Sequence, residues 1–200
     1  MPQEVLFTRP GVGLIDEVAL DAPIALALAG SIRRSWAQCG PNCLPLYGID
    51  ADVMIRIETA LRPLENTAGE FSRDWQRMRP PSAFDEALEM DDLVALLHSH
   101  RAVDTPALTW LAHAVATSCL GDNHLWQDMR LPSRAVLSSL LSTYFPTLAV
   151  RNVTNMKWKK FFYLQLCERA DIRICKSPSC GVCCDYALCF GSEEAVLVSA

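Results

Sequence analysis

Four cysteines near the C-terminus, Cys175, Cys180, Cys183 and Cys189, stand in the pattern C-x4-C-x2-C-x5-C. Thiolates two to five residues apart let a folded loop wrap one metal centre, and Pro178 and Gly181 supply turns that aim successive sulfurs inward. Backbone N–H groups around Gly181 would then be donors for cluster sulfides. The chain has nine cysteines, five of them between Cys175 and Cys189. In a reducing compartment such crowding reads as metal ligation before it reads as disulfides. Four thiolates also complete a tetrahedral zinc site. Zinc ribbons, however, pair two C-x2-C units across a long spacer, and here one such unit lies inside a 15-residue wrap. The opening C-x4-C-x2-C is an iron–sulfur spacing, although the fourth ligand there is more distant. Spacing alone therefore ranks iron–sulfur ligation first, zinc second, and disulfide or incidental use third. Cys184 permits an alternative wrap from Cys180 to Cys189, but adjacent thiols do not easily face one centre, so Cys184 is read as a spare.

Charge is unevenly spread. Residues 151 to 176 hold seven Lys or Arg and two acids, a local +5 in a chain whose net charge is −5. An acidic protein does not favour general nucleic-acid binding, yet such an island can attract one small anion or present a solvated helix face. The remaining candidates are weaker. Cys39 and Cys43 could form a second metal pair or a redox couple, but two sulfurs without evident partners leave a metal site incomplete. Cys119 and Cys167 fall on apolar helix faces and are expected to be buried and inert. His98 and His100, two apart at a helix end, would point to different sides. His113 is expected to be a hydrogen-bonded structural residue. His124, in the turn GDNHLWQD, is the histidine a loop could bring to the cysteine cluster as nitrogen ligand or proton donor. Asp91 and Asp92 adjoin and do not face one substrate. No phosphate loop, zinc-protease helix motif or serine nucleophile elbow is present, so conventional catalysis has no support.

The elements that must carry these residues are helical. Leu and Ala total 49 against 30 for Val, Ile and Thr, a balance that favours helix formers. Two hundred residues can bury a core without disulfide help. The longest apolar run, Ala22 to Gly30, is half of what a bilayer-spanning helix needs, and acids rather than basic residues precede it, so no membrane or secretory role is expected. The expected location is the cytoplasm. Residues 1–15 read as an irregular lead-in. Periodicity then predicts helices over Asp16 to Gln38, Asp50 to Leu61, Asp85 to His98, Thr105 to Leu120, Ser133 to Tyr144 and Met156 to Arg169. Asp50 or Asp52, Thr105 and Asn155 are the candidate caps. The expectation is an all-α, single-domain bundle of about six helices over 1–174, then a cysteine-rich metal loop over 175–191 and a tail over 192–200. Pro80 and Pro81 mark a break before the third helix.

The stretches CLGDNHLWQD, LPSRAVLSSLLSTYFPTLAVRN, MKWKKFFYLQLC and CKSPSCGVCCDYALCFG together resemble the NifQ family of nitrogen-fixation proteins. The likeness is strong over the C-terminal half and weaker at DDLVALLHSHR, and little in the first eighty residues matches, which leaves Cys39 and Cys43 without inherited roles. It implies a molybdenum-handling protein: an iron–sulfur carrier that accepts molybdenum and donates it for synthesis of the nitrogenase iron–molybdenum cofactor. The implied partners are the cofactor scaffold and the nitrogenase iron protein. Carried over by position, the ligands are Cys175, Cys180, Cys183 and Cys189, with Cys184 outside the pattern. Soft thiolate and sulfide surroundings favour exchange of molybdate oxo groups for sulfur. The field of Lys157, Lys160, Arg169, Arg173 and Lys176 could offset the thiolates and an arriving anion. The competing reading is a structural or regulatory zinc-binding protein whose basic island docks an acidic partner.

Overall fold

The computed structural model describes residues 18–40, 42–63, 74–79, 87–171 and 186–193. Among them the secondary structure is helical. Six longer helices are α1 (Ala22–Cys39), α2 (Ala51–Leu61), α3 (Ala87–Ser99), α4 (Pro106–Cys119), α6 (Arg134–Tyr144) and α8 (Trp158–Arg169). Three short ones, α5 (Leu125–Asp128), α7 (Pro146–Ala149) and α9 (Tyr186–Phe190), join or follow them, and a single 3-10 turn spans Trp75–Arg77. No described helix is long and apolar enough to cross a membrane.

Side-chain caps fix several starts. Asp21, Asp50, Thr105 and Ser133 accept from the backbone N–H of Ile24, Val53, Leu108 and Val136 at 3.1, 2.8, 3.4 and 3.3 Å. Each satisfies one of the orphan donors of a first turn. Two expectations need correction. The first helix begins at Ala22 rather than Asp16, because Pro23 lacks an N–H and is tolerated only in a first turn, which Asp21 caps. Asn155 does not cap α8: its φ is 54°, in the left-handed region, and Lys157 precedes the first helical residue. The turn before α8 is instead closed by Asn152, whose side-chain oxygen accepts from Met156 N–H at 2.8 Å.

α4 is the axis of the molecule. The stripe Leu108, Leu111, Ala112, Val115 and Cys119 is buried as expected, and so are Trp110, Ala114 and Ala116 on its other sides. α1 packs along one flank and α3 along another, so α4 has almost no face left for solvent. Gly30 on α1 lets the helix approach the Met129 carbonyl at the end of α5, where a Cβ would collide. α8 contributes Trp158, Phe161 and Phe162 to the core, and the Trp158 indole donates to Ser138 Oγ of α6 at 3.0 Å. Cys167, expected to be buried, is only half-buried, because the exposed face of α8 begins there.

Candidate functional site

Cys175, Cys180, Cys183 and Cys184, with Arg173 and Lys176, lie outside the described residues. What is described is the frame on either side: the end of α8 at Asp171, and the return of the chain at Tyr186. Cys189, the last cysteine of the pattern, is a free, half-buried thiol on α9. The expectation of loop geometry throughout 175–191 is thus corrected at its end, where Tyr186–Phe190 is helical.

α9 docks on the start of α8. The Lys157 backbone N–H donates to the Cys189 carbonyl at 2.8 Å, and Lys157 Nζ donates to the Ala187 carbonyl at 3.1 Å. Unpaired donors at the beginning of one helix thereby meet unpaired acceptors at the end of another, and an ammonium sits at the negative end of α9. The Tyr186 and Phe190 rings stack with centroids 4.5 Å apart on the same short helix. The backbone carrying Cys189 is therefore held at a defined place against α8. Cys189 and Phe190 both pack on the core.

The chain then runs into Glu193, which is buried although it is charged. Its carboxylate lies 3.4 Å from Arg134 Nη1 and 3.9 Å from His124 Nδ1. Arg134 Nη2 also donates to the carbonyls of Asn155 and Met156 at 2.8 and 3.0 Å. Arg134 thus ties the turn before α8 to the residues just after α9. His124 comes from the other side, at the start of α5, with its N–H on Gln127 Oε1 at 3.1 Å. His124 is about one-third exposed and stands beside Glu193, four residues beyond Cys189.

Asp128, at the end of the short helix that His124 opens, has no exposed surface. Its carboxylate accepts from Lys159 Nζ at 2.6 Å, Arg34 Nε at 3.1 Å, and Asn123 Nδ2 and backbone N–H at 3.0 and 3.1 Å. Lys159 also donates to the Gly121 carbonyl at 2.6 Å. A Cβ on Gly121 would collide with the Asp128 carboxylate, so only glycine fits there. Burial alone would raise the Asp128 pKa, but Lys159, Asn123 and Arg34 outweigh it and hold the group below its usual range. The GDNHLWQD turn that carries His124 is therefore folded around one ionised carboxylate.

The basic island is accordingly not a uniform free field. Lys159 is consumed by Asp128 and Lys157 by a helix end, whereas Lys160 and Arg169 are exposed. The charge of Arg169 is felt at His100, whose pKa is lowered by burial first and then by Arg151 and Arg169. The other histidines stand apart from the site. His100 Nδ1 meets Thr147 Oγ1 at 2.7 Å, His113 Nδ1 meets the Tyr47 carbonyl at 2.7 Å, and His98 lies edge-on to His113. Asp91 accepts from the Tyr47 hydroxyl at 2.8 Å. Among the described residues, no three of His, Cys, Asp or Glu converge as a metal site. Cys189 nevertheless fits a metal centre as a soft thiol donor that no disulfide occupies. Sequence reasoning missed Asp128, Arg134 and Glu193, since a single acid or arginine carries no pattern and their partners are remote in the chain.

Comparison with known proteins gives one consistent family. The family model NifQ matches residues 27–191. Protein NifQ of Azotobacter vinelandii is 39% identical over 167 residues, covering 77% of this chain and 82% of that protein. Protein NifQ of Klebsiella pneumoniae is 40% identical over 138 residues, 59% of this chain and 82% of its own length. Protein NifQ of Rhodobacter capsulatus is 45% identical over 91 residues, 46% of this chain and 51% of that protein. No solved structure gives a significant match.

Proposed function

The chain belongs to the NifQ family of accessory proteins of nitrogen fixation, and from that premise we propose that it delivers molybdenum for synthesis of the iron–molybdenum cofactor. In this reading Cys175, Cys180, Cys183 and Cys189 hold an iron–sulfur cluster and molybdenum is the cargo. When bound, the cluster supplies sulfide surroundings in which molybdate oxygen can be exchanged for sulfur. The chain's own residues do the rest. Lys160, Arg169, Arg173 and Lys176 attract the molybdate dianion and, with Lys157, offset the thiolate charge. His124 offers a nitrogen ligand or a proton. The receiving partners are the cofactor scaffold and the nitrogenase iron protein, with neither nucleic acid nor membrane involved, and the protein works as a metal carrier in the cytoplasm rather than as an enzyme.

The observation that carries this reading is Cys189: a free thiol of a four-cysteine pattern, on a helix anchored to α8, four residues before Glu193, whose carboxylate lies 3.9 Å from His124 Nδ1. The test is an anaerobic preparation. Brown protein containing iron and labile sulfide and binding molybdenum is expected, with Cys183→Ala losing the cluster and Cys184→Ala keeping most of it. Colourless protein with one zinc per chain would favour the zinc-binding alternative, and equal loss in both variants would overturn the ligand assignment.

A further inference from the structure

Remote in sequence from these ligands, at the end of α1, Cys39 and Cys43 are joined as a disulfide with their Cα atoms 6.3 Å apart. We propose that this pair is a reversible dithiol/disulfide site, exchanging with a low-molecular-weight thiol couple and controlling the order of the neighbouring Trp36–Trp75 stack.

The two sulfurs are unequally placed. Cys39 is exposed and Cys43 is buried, so the Cys39 sulfur is the one an incoming thiolate meets. Attack there forms a mixed disulfide on Cys39 and breaks the bond to Cys43, whose sulfur leaves with the electron pair and takes a proton. A second thiol then attacks the mixed disulfide and releases Cys39. Two small thiols are oxidised to one disulfide, and the protein pair gains two electrons and two protons. The reverse uses the small disulfide as oxidant. The released thiols have an acceptor at hand, because the Gly40 carbonyl lies 3.7 Å from the Cys39 sulfur and 3.5 Å from that of Cys43. A metal role is disfavoured, since no further His, Cys, Asp or Glu among the described residues joins the two sulfurs in a site.

The consequence reaches the tryptophans through the backbone of Cys43. Its carbonyl accepts from the Trp36 indole at 3.3 Å, and Trp36 stacks on Trp75 with ring centroids 5.6 Å apart. The same turn holds the segment that carries Trp75: Leu44 N–H donates to the Arg79 carbonyl at 2.8 Å, and Arg79 N–H to the Asn42 carbonyl at 3.1 Å. Opening the bridge removes one restraint from this junction. The loop it closes is short and constrains the unfolded chain little compared with a long one, so the rest of the fold stays in place.

The test equilibrates the full chain, without oxygen, over graded ratios of reduced to oxidised glutathione, followed by maleimide trapping and peptide mapping. Cys39 and Cys43 are expected to pass together from protected to labelled. A tenfold change in the glutathione quotient should shift their reduced-to-oxidised ratio tenfold, about 30 mV for a two-electron couple. Tryptophan emission should follow the same curve in the unaltered protein and stay flat in Cys39→Ser and Cys43→Ser. Cys119, whose thiol burial pushes up to about 12, should remain unlabelled and so report that the core is closed. Both cysteines labelled at every ratio, both protected at every ratio, or emission indifferent to reduction would each overturn the proposal.

Discussion

At the scale of single residues, Asp128 is a buried charge that no sequence motif advertises. A carboxylate with no exposed surface accepts from Arg34, Lys159 and Asn123, and these three come from α1, α8 and the turn after α4. Asp128→Asn keeps the shape and removes the charge, leaving two cations around a neutral amide. Breaking a buried ion pair from one side costs about 3–5 kcal/mol. The urea midpoint should fall accordingly at unchanged m-value, and a change below about 1 kcal/mol would show that the cluster is decorative. The contrast with the histidines shows what sequence can and cannot reveal. His98 and His100, two apart at a helix end, point to different sides as a period of 3.6 residues requires: His98 packs edge-on to His113, and His100 meets Thr147. Asp128 needs partners 94 and 31 residues away, and no local pattern encodes such a meeting.

At the scale of elements, caps and stripes made the helices readable. Asp50, Thr105 and Ser133 cap where their side chains allow it, and Pro146 both ends α6 and opens α7. The two misplaced boundaries have different causes: Pro23 and the Asp21 cap set the start of α1 locally, whereas the start of α8 is set by a tertiary contact. At Asn155 the backbone turns left-handed because Arg134 Nη2 holds both its carbonyl and its side chain, at 2.8 and 3.0 Å, a tertiary contact that overrides a good local cap. α9 was illegible for a related reason: five residues cannot form a stable helix alone, and this one is held by Lys157 at its carbonyl end. Its downstream anchor is Glu193 on Arg134, and that makes a prediction about local order. Glu193→Ala leaves Arg134 without its buried counter-ion and should make opening of residues 186–193 easier by ~2 kcal/mol or more. Hydrogen exchange there should quicken more than tenfold while α4 amides keep their rates. Unchanged exchange across 186–193 would mean that the α8–α9 contacts suffice without Glu193.

At the scale of the whole molecule, an all-α bundle around one central helix follows from a Leu- and Ala-rich chain with capped periodic segments. The four-cysteine pattern and its neighbours identify the family, whereas three of its thiols lie outside the described residues. The bundle also has a pH response that the sequence does not announce, because it depends on which histidines end up packed. His98 and His113 lie edge to face, 5.7 Å between centroids, on α3 and α4. Burial lowers both pKa values. At His98 the charges of Arg101 and His113 add to it, while a backbone hydrogen bond at Thr109 and the charge of Asp104 oppose; at His113 the Tyr47 hydrogen bond and Asp91 oppose it without prevailing. A histidine held neutral in the fold titrates at higher pH once unfolded, so the unfolded chain binds more protons as pH falls through the ordinary value of 6.5. Folding stability should therefore be full above that value and decline below it. A second decline begins below 3.8, where the unfolded Asp128 carboxyl binds its proton ahead of the folded one. Urea midpoints measured from about pH 8 to pH 5 should fall, and His98→Phe, which keeps an aromatic edge against His113 but cannot titrate, should flatten part of that fall. Midpoints that hold steady or rise on acidification over this range would show that the histidine pair is not held neutral at the junction of α3 and α4.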